Sequence, residues 1–365
     1  MPFASLFYFG QWGVISSSVQ LSPVAVGSRP LNTMRRRPSY DRTDVLVSMN
    51  IRGLDNEDVK LAEVVGMLTS GESTAPLAFA LQETWHTETS PCGWSMVTRT
   101  GCTVIKTGEA WRPQRGRQRN GVALVLGPAA SKAWRALPAD KRKPIFSGPR
   151  HLAIELTLGG RTWRLGSAYA PDSSKPDLEY LEFLAQLGGY AKGGDPRKLL
   201  LVGMDGNASV GRSSRRQVNA QLPLGGAGRQ PIGGCGFKRL NKRGEMLLNF
   251  LADGDLCLAN TFFQRSGPRN VGTFRQTNGS LHQIDYWLTN HFTRVSFVTD
   301  CGKENRWVPQ RSDHEPVRIT LRVRRPRHHS AGQRVPVLAA PRRLDGAALR
   351  GRNSACDNQH NQQNT

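Results

Sequence analysis

No run of about 18 consecutive apolar residues occurs anywhere in these 365 residues, so no helical membrane span is expected. The six cysteines (Cys92, Cys102, Cys235, Cys257, Cys301 and Cys356) form no C-x-x-C pair and no Cys/His zinc spacing. That excludes a zinc module and gives no sign of a disulfide framework; the scatter suits reduced thiols in an intracellular compartment. The glycine-rich GGAGRQPIGGCG at 225–236 is not followed by Gly-Lys-Ser/Thr, so it reads as a surface loop and not as a phosphate-cradling P-loop. No internal repeat is visible. Acids are scarce: 28 Asp and Glu stand against 50 Lys and Arg, for a formal charge of +22. The excess is not confined to the ends. Residues 1–43 carry +4, residues 322–365 carry +7, and 44–321 keep +11. A basic surplus within the folded part favours a polyanionic partner such as nucleic acid.

Organised periodicity begins at Asp44. DVLVSMNI reads as a strand, 55–71 as a helix ending near Gly71, and LAFALQET (77–84) as a buried strand. GVALVLG (121–127), HLAIELTL (151–158) and TWRLGSAYAP (162–171) are further strands. The next segment, PDLEYLEFLAQLGGYAKGG, gives a helix with Leu178, Leu181 and Leu184 on one face, and KLLLVGMDGN (198–207) a strand running into a turn. After a Gly- and Arg-rich loop come a helix at about 241–252 and four strand-like pieces, CLANTFF, GTFRQ, LHQIDYWLT and EPVRITLRV. Strands outnumber helices and long loops separate them, an α+β or sandwich pattern without regular βαβ alternation. The chain divides into a basic extension (1–43), one domain (44–323), and a basic, Pro-containing, linker-like tail (324–365), with both ends expected to be disordered. MPFASLFYFGQWGVI lacks basic residues before its apolar run and is broken by Gly10, Gln11 and Gly13, which argues against a secretory signal. Arg29 and Arg35–Arg37 precede the first acid, Asp41, a pattern compatible with an organelle transit peptide.

Chemistry is suggested by where polar residues fall. Three apolar strands end on an amide or an acid: Asn50 after VSM, Glu83 after AFALQ, and Asp205, with Asn207, after LLLVGM. Strands that feed such groups into loops present ligands on rigid supports. Each alone is more simply a loop cap or turn residue. Asp285, set among Ile284, Tyr286, Trp287 and Leu288, needs a partner if it is buried. His314 in QRSDHEPVRITL (310–321) is the candidate, because a carboxylate behind an imidazole fixes its tautomer and favours its charged form. Gathered in one cleft, Asn50, Glu83, Asp205, Asn207, Asp285, Asp313 and His314 would offer oxygen ligands suited to Mg²⁺, or Mn²⁺ in its place, and a site for phosphodiester hydrolysis.

MNIRGL, LQET, YAP, MDGN, QIDYW and SDH, in this order, resemble the endonuclease/exonuclease/phosphatase superfamily over about 44–322. The resemblance implies a four-layer α/β/β/α sandwich with two facing mixed β-sheets and the site at one end of them. It further implies Glu83 and Asn50 at the Mg²⁺ site, with Asp313 on the metal or His side of the cleft. Asp205 would orient or deprotonate the attacking water, and Asn207 would hold the phosphate. Tyr169 would contact the scissile phosphate, and His314, backed by Asp285, would stabilise the transition state. Two departures stand out: Arg52 lies where some relatives carry an acid or Asn near the metal, and Asp172 follows YAP where many carry Asn. NKRGEMLLNFLADGDLCLANTFF and GTFRQTNGSLHQIDYWLT are similar to segments of non-LTR retrotransposon endonuclease domains and craniofacial-development-protein-like relatives. This branch implies DNA nicking that leaves a 3′-hydroxyl and a 5′-phosphate, by a monomer acting in the nucleus, with a reverse transcriptase domain expected in a full-length relative. Arg115, Arg117 and Arg119, in RPQRGRQRN, would add phosphate contacts from a loop, though a solvated loop explains them equally well. Two further readings stay open: a phosphatase or RNA-directed nuclease with the same core, and a nucleic-acid-binding relative without catalysis.

Overall fold

The computed structural model describes residues 42–54, 59–72, 75–85, 94–107, 120–192, 195, 197–212, 229–237, 239–264, 271–305 and 312–323. The expected N-terminal extension, apart from Arg42 and Thr43, and the whole expected C-terminal tail lie outside the described residues, and so do Arg115, Arg117 and Arg119.

Two large sheets carry the chain. The first contains β1 (Arg42–Asn50), β2 (Ala78–Gln82), β3 (Trp94–Val97), β4 (Thr103–Lys106) and β5 (Val122–Leu126), joined late in the sequence by β14 (Val298–Lys303) and β15 (Val317–Val323). Its order is β14-β15-β1-β2-β5-β4-β3. The second contains β6 (Phe146–Gly148), β7 (His151–Leu158), β8 (Arg161–Tyr169), β9 (Leu199–Asp205), β10 (Leu256–Leu258) and β13 (Asp285–Asn290), in the order β10-β13-β9-β8-β7-β6. A small ribbon of β11 (Phe274–Arg275) and β12 (Leu281–His282) stands apart from both. Each large sheet has one parallel pair, β1 with β2 and β8 with β9, and its other pairings are antiparallel.

Three apolar layers show how the sheets stack. Leu46, Ala80, Ile105 and Leu124 of the first sheet meet Leu152, Ile154, Leu165, Leu201 and Trp287 of the second in one core between them. Val47, Phe79, Leu81 and Val125 point the other way, onto Leu61, Val64 and Leu68 of α1 (Val59–Leu68). On the far side, Leu200, Val202 and Met204 pack on α3 (Asp177–Ala191) and α4 (Lys242–Asp253). α2 (Pro128–Arg135) drops Ala130 and Trp134 into the inter-sheet core, and α5 (His291–Ser296) follows β13. The expected four-layer sandwich of α+β class is therefore what forms. Both faces of β2, β5 and β9 are buried, which is why their sequences read as continuous apolar runs without alternation.

One local expectation is corrected. The buried face of α3 consists of Tyr180, Phe183, Leu184, Leu187 and Tyr190, whereas Leu178 and Leu181 are 66% and 48% exposed. The two tyrosines bury more area than the leucines would, and they bring a hydroxyl each that finds a partner, Gly206 O for Tyr180 and His151 Nδ1 for Tyr190.

Close approach of the two sheets depends on a polar seam. Gln82 Nε2 lies 3.2 Å from Ser48 Oγ and 3.1 Å from both Ser167 Oγ and Gly203 O, and Ser167 Oγ donates to Leu81 O. Gly203 is needed there, because a Cβ would stand 2.6 Å from Ser48 Oγ and 2.7 Å from Ala80 Cβ. Gly203→Ala should therefore force the sheets apart and cost about 1–3 kcal/mol, measured as a lowered urea midpoint at unchanged slope.

Candidate active site

The strand registers assemble the site. Tyr169 and Asp205 are paired on the parallel strands β8 and β9, and Asp285 is paired with Asp205 across β9 and β13. On the facing sheet, β1 and β2 run parallel and end side by side at Asn50 and Gln82, so Glu83 follows directly. Two parallel pairs, one per sheet, thus discharge their C-terminal residues at the same end of the sandwich. His314 comes in just ahead of β15, tied by a bridge to Phe274.

Asn50 joins the sheets. Its Nδ2 donates to Glu83 Oε1 at 2.8 Å and to Asp205 Oδ2 at 2.9 Å, while its Oδ1 accepts from Arg52 N at 3.1 Å. The Arg52 N–H can only meet the amide oxygen, which fixes the orientation of the Asn50 amide. The other Glu83 oxygen accepts from Trp85 Nε1 at 3.2 Å, and the Tyr169 hydroxyl also bonds Glu83. Asp205 Oδ1 accepts from Asn207 N at 3.0 Å, and Asn207 Nδ2 donates to Ala170 O at 2.9 Å.

His314 is 5% exposed and Asp285 2%. Nδ1 of the imidazole lies 3.1 Å from both Asp285 oxygens, leaving Nε2 aimed at Asp205 Oδ2, 3.9 Å away. Behind this pair, Thr273 Oγ1 accepts from the N–H groups of Ile284 and Asp285, and Ser312 Oγ donates to Asn50 O while accepting from His314 N. Burial alone would lower the His314 pKa, but the Asp285 carboxylate outweighs it by charge and hydrogen bond. With Asp205 and Asp313 adding to the effect, the imidazole is raised to about 9. Burial first, and the Asp285 charge second, push the Asp205 carboxyl up to about 7 against the opposing pull of His314 and Asn50. Burial, with Glu83 and Asp205 adding to it, holds the Tyr169 phenol well above its usual range.

These groups open into one cleft of about 360 Å³ lined by Glu83, Tyr169, Asp205, Asn207, Asp313 and His314 together with Arg52, Trp85, Asp172, Phe274 and Ile284. Of the six non-glycine residues with positive φ among the described residues, four line it: Arg52 (47°), Glu83 (51°), Trp85 (52°) and Asn207 (43°). Left-handed backbone outside glycine costs of order 1–3 kcal/mol per residue, and such positions gather at sites of function. Asp313 gives Oδ2 to Arg52 Nη1 at 2.7 Å, and its Oδ1 is buried with no hydrogen-bond partner.

The donor set fits a hard divalent cation: carboxylate oxygens of Glu83, Asp205 and Asp313 face one cleft, and one of them is an orphaned buried acceptor. Asp205, Asp285 and His314 also have ligand atoms within 4.8 Å of one another, but there the imidazole and Asp285 already satisfy each other. Every site residue expected from the sequence, apart from Arg115, Arg117 and Arg119, lies in this cluster. Asn50 presents its amide nitrogen to the carboxylates. Trp85, Thr273, Phe274 and Ser312 were not singled out as site residues; Ser312 stands inside the SDH motif, Thr273 and Phe274 open the GTFRQTNGSLHQIDYWLT segment, and Trp85 carried no signal.

No family model matches the sequence, and no curated protein matches it. Among solved structures, the chain is similar to the endonuclease domain of TRAS1, a telomere-specific non-LTR retrotransposon (14% identity over 77% of this chain and 99% of that one, TM-score 0.47). It is also similar to the AP endonuclease LMAP from Leishmania major (16% identity, 77% and 88% covered, TM-score 0.49). A third likeness is to an AP endonuclease from Archaeoglobus fulgidus (15% identity, 77% and 100% covered, TM-score 0.49). These are proteins of the endonuclease/exonuclease/phosphatase fold, the superfamily whose motifs the sequence resembles. Identities this low say nothing about chemistry, which has to come from the side chains of this chain.

Asp285→Asn should lower the His314 titration midpoint from about 9 to below its ordinary value, read by NMR of the ring protons. The same change tests stability. A raised folded-state pKa stabilises fully below the unfolded value near 6.5 and ceases to do so as pH climbs through the folded value. Wild type should therefore exceed Asp285→Asn by about 3 kcal/mol at pH 6, with the gap narrowing as pH rises past about 6.5 and nearly closed by pH 9.

Proposed function

We propose that this protein is a divalent-metal-dependent phosphodiesterase that nicks one DNA strand, leaving a 3′-hydroxyl and a 5′-phosphate, in the manner of retroelement endonucleases. The observation that carries this reading is the pairing across the cleft of two unlike devices. One is the Glu83–Asn50–Asp205 bridge between the sheets; the other is the Asp285–His314 pair, whose Nε2 faces Asp205. Cleaving a phosphodiester needs a base for water, a cationic donor for the developing charge on the phosphate, and room for an anion.

Asp205 is the base. Its carboxyl is held near neutrality and oriented from both oxygens, by Asn50 Nδ2 and Asn207 N, so it accepts a proton from water without moving. His314, charged and held through Nδ1, directs its Nε2–H to a non-bridging phosphate oxygen. Asp285 fixes the tautomer and balances the imidazolium charge. Tyr169, with the Arg150 guanidinium 5.2 Å over its ring, holds Glu83 from the floor of the cleft. Bound through Glu83 and Asp313, Mg²⁺ or Mn²⁺ would supply Lewis-acid polarisation of the phosphate and offset the charge of the carboxylates. The +11 of residues 44–321 and the ordered motifs favour DNA over a small phosphoester. Such an enzyme acts as a monomer and would work in the nucleus, with a reverse transcriptase domain in full-length relatives.

Supercoiled plasmid tests the proposal. Wild type should convert it to open circle with Mg²⁺ and not with EDTA, and Glu83→Ala and His314→Ala should each lose at least about 100-fold in rate. DNA binding without nicking would favour the non-catalytic alternative; neither binding nor nicking would favour a phosphatase.

A further inference from the structure

Arg52 is the guanidinium among the residues lining a cleft that otherwise presents four carboxylates, Glu83, Asp172, Asp205 and Asp313. Its backbone is firmly placed. Lys60 Nζ donates to Ile51 O at 2.7 Å and Gly53 O at 3.1 Å. Pairing of β1 with β2 continues past the strand ends through Gly53 N to Glu83 O and Leu54 N to Thr84 O. Gly53, at φ 94°, lies under the Trp85 ring, which a Cβ would meet at 2.4 Å. That loop aims the Arg52 side chain at Asp313.

The resulting pair is one-pronged. Nη1 holds Asp313 Oδ2 at 2.7 Å, Asp313 Oδ1 is buried without a partner, and the guanidinium has no other hydrogen bond or ion pair among the described residues. Arg52 is 47% exposed in its side chain, so the contact can be broken at little cost. A planar guanidinium with vacant donors also matches a phosphate better than a single carboxylate oxygen.

We propose that Arg52 is an exchangeable counter-cation which occupies Asp313 until a phosphodiester arrives. The guanidinium then moves to a non-bridging phosphate oxygen and frees Asp313 as an oxygen ligand, so that divalent cation and nucleic acid load cooperatively. This rests on the metal-dependent phosphodiesterase reading given above. Without substrate, the guanidinium both blocks a ligand and repels a cation of like charge; with substrate, the phosphate neutralises it. By linkage, whatever factor the anion adds to cation affinity, the cation adds to anion affinity.

The test is Mn²⁺ binding to the full chain, followed by the electron paramagnetic resonance of free Mn²⁺. It is run with and without a short phosphorothioate-linked DNA duplex that resists hydrolysis, the metal taken up by the duplex alone being subtracted. Arg52→Gln should bind Mn²⁺ about tenfold more tightly than wild type without DNA, as expected from removal of a neighbouring like charge. The duplex should tighten Mn²⁺ binding to wild type by a similar factor and leave Arg52→Gln nearly unchanged. Equal or weaker Mn²⁺ binding by Arg52→Gln, in a chain where Glu83→Gln abolishes binding, would overturn the role of Arg52 and leave the metal site standing. Failure of wild type, Arg52→Gln and Glu83→Gln alike to bind Mn²⁺ would overturn both.

Discussion

Two carboxylates from opposite sheets share the amide of Asn50, and the rest of the site depends on that bridge. Glu83 ends the β1–β2 pair and Asp205 ends the β8–β9 pair, so the amide nitrogen spans the gap between layers. Asn is fitted for it because an amide has two hydrogens, one for each acid, and an oxygen left to hold the Arg52 N–H. A carboxylate in its place would put three acids together with no donor between them. The seam below, where Gln82 meets Ser48, Ser167 and Gly203, sets the spacing that makes these lengths attainable.

The electrostatics follow from burial. Asp285 and Asp205 lie in adjacent strands at a dry end of the sandwich, where their charges reinforce each other and neither is screened. One imidazole answers both: His314 faces Asp285 through Nδ1 and Asp205 through Nε2, which keeps it protonated well above neutrality. The outer cleft is left with a carboxylate surplus that Arg52 only partly offsets, an arrangement better suited to a cation and its anionic ligand than to an anion alone. The left-handed backbones of Arg52, Glu83, Trp85 and Asn207 are the strain accepted for aiming so many polar groups at one volume.

Much of this was legible in the chain. Asp285 stood out as an acid inside an apolar run, and burial made its pairing with His314 a physical requirement. Asn50, Glu83 and Asp205 stood out as polar ends of apolar strands. The misses have local causes. β3, β6 and β14 are short or irregular edge strands without a readable alternation, and α2 and α5 span only two turns or so. The exposure of Leu178 and Leu181 was hidden because the neighbouring tyrosines are amphipathic and a leucine count does not register them.

The sequence by itself determined which strands are buried on both faces, where their polar ends fall, and which residue types could perform hydrolysis, because these depend on composition and period along one segment. Only the tertiary structure decided which polar ends meet. That Asn50 turns its nitrogen to the acids and that Arg52 reaches Asp313 depends on strand register, on the spacing of the two sheets and on left-handed backbone turns. Those are contacts between residues up to 261 positions apart, which no local pattern encodes.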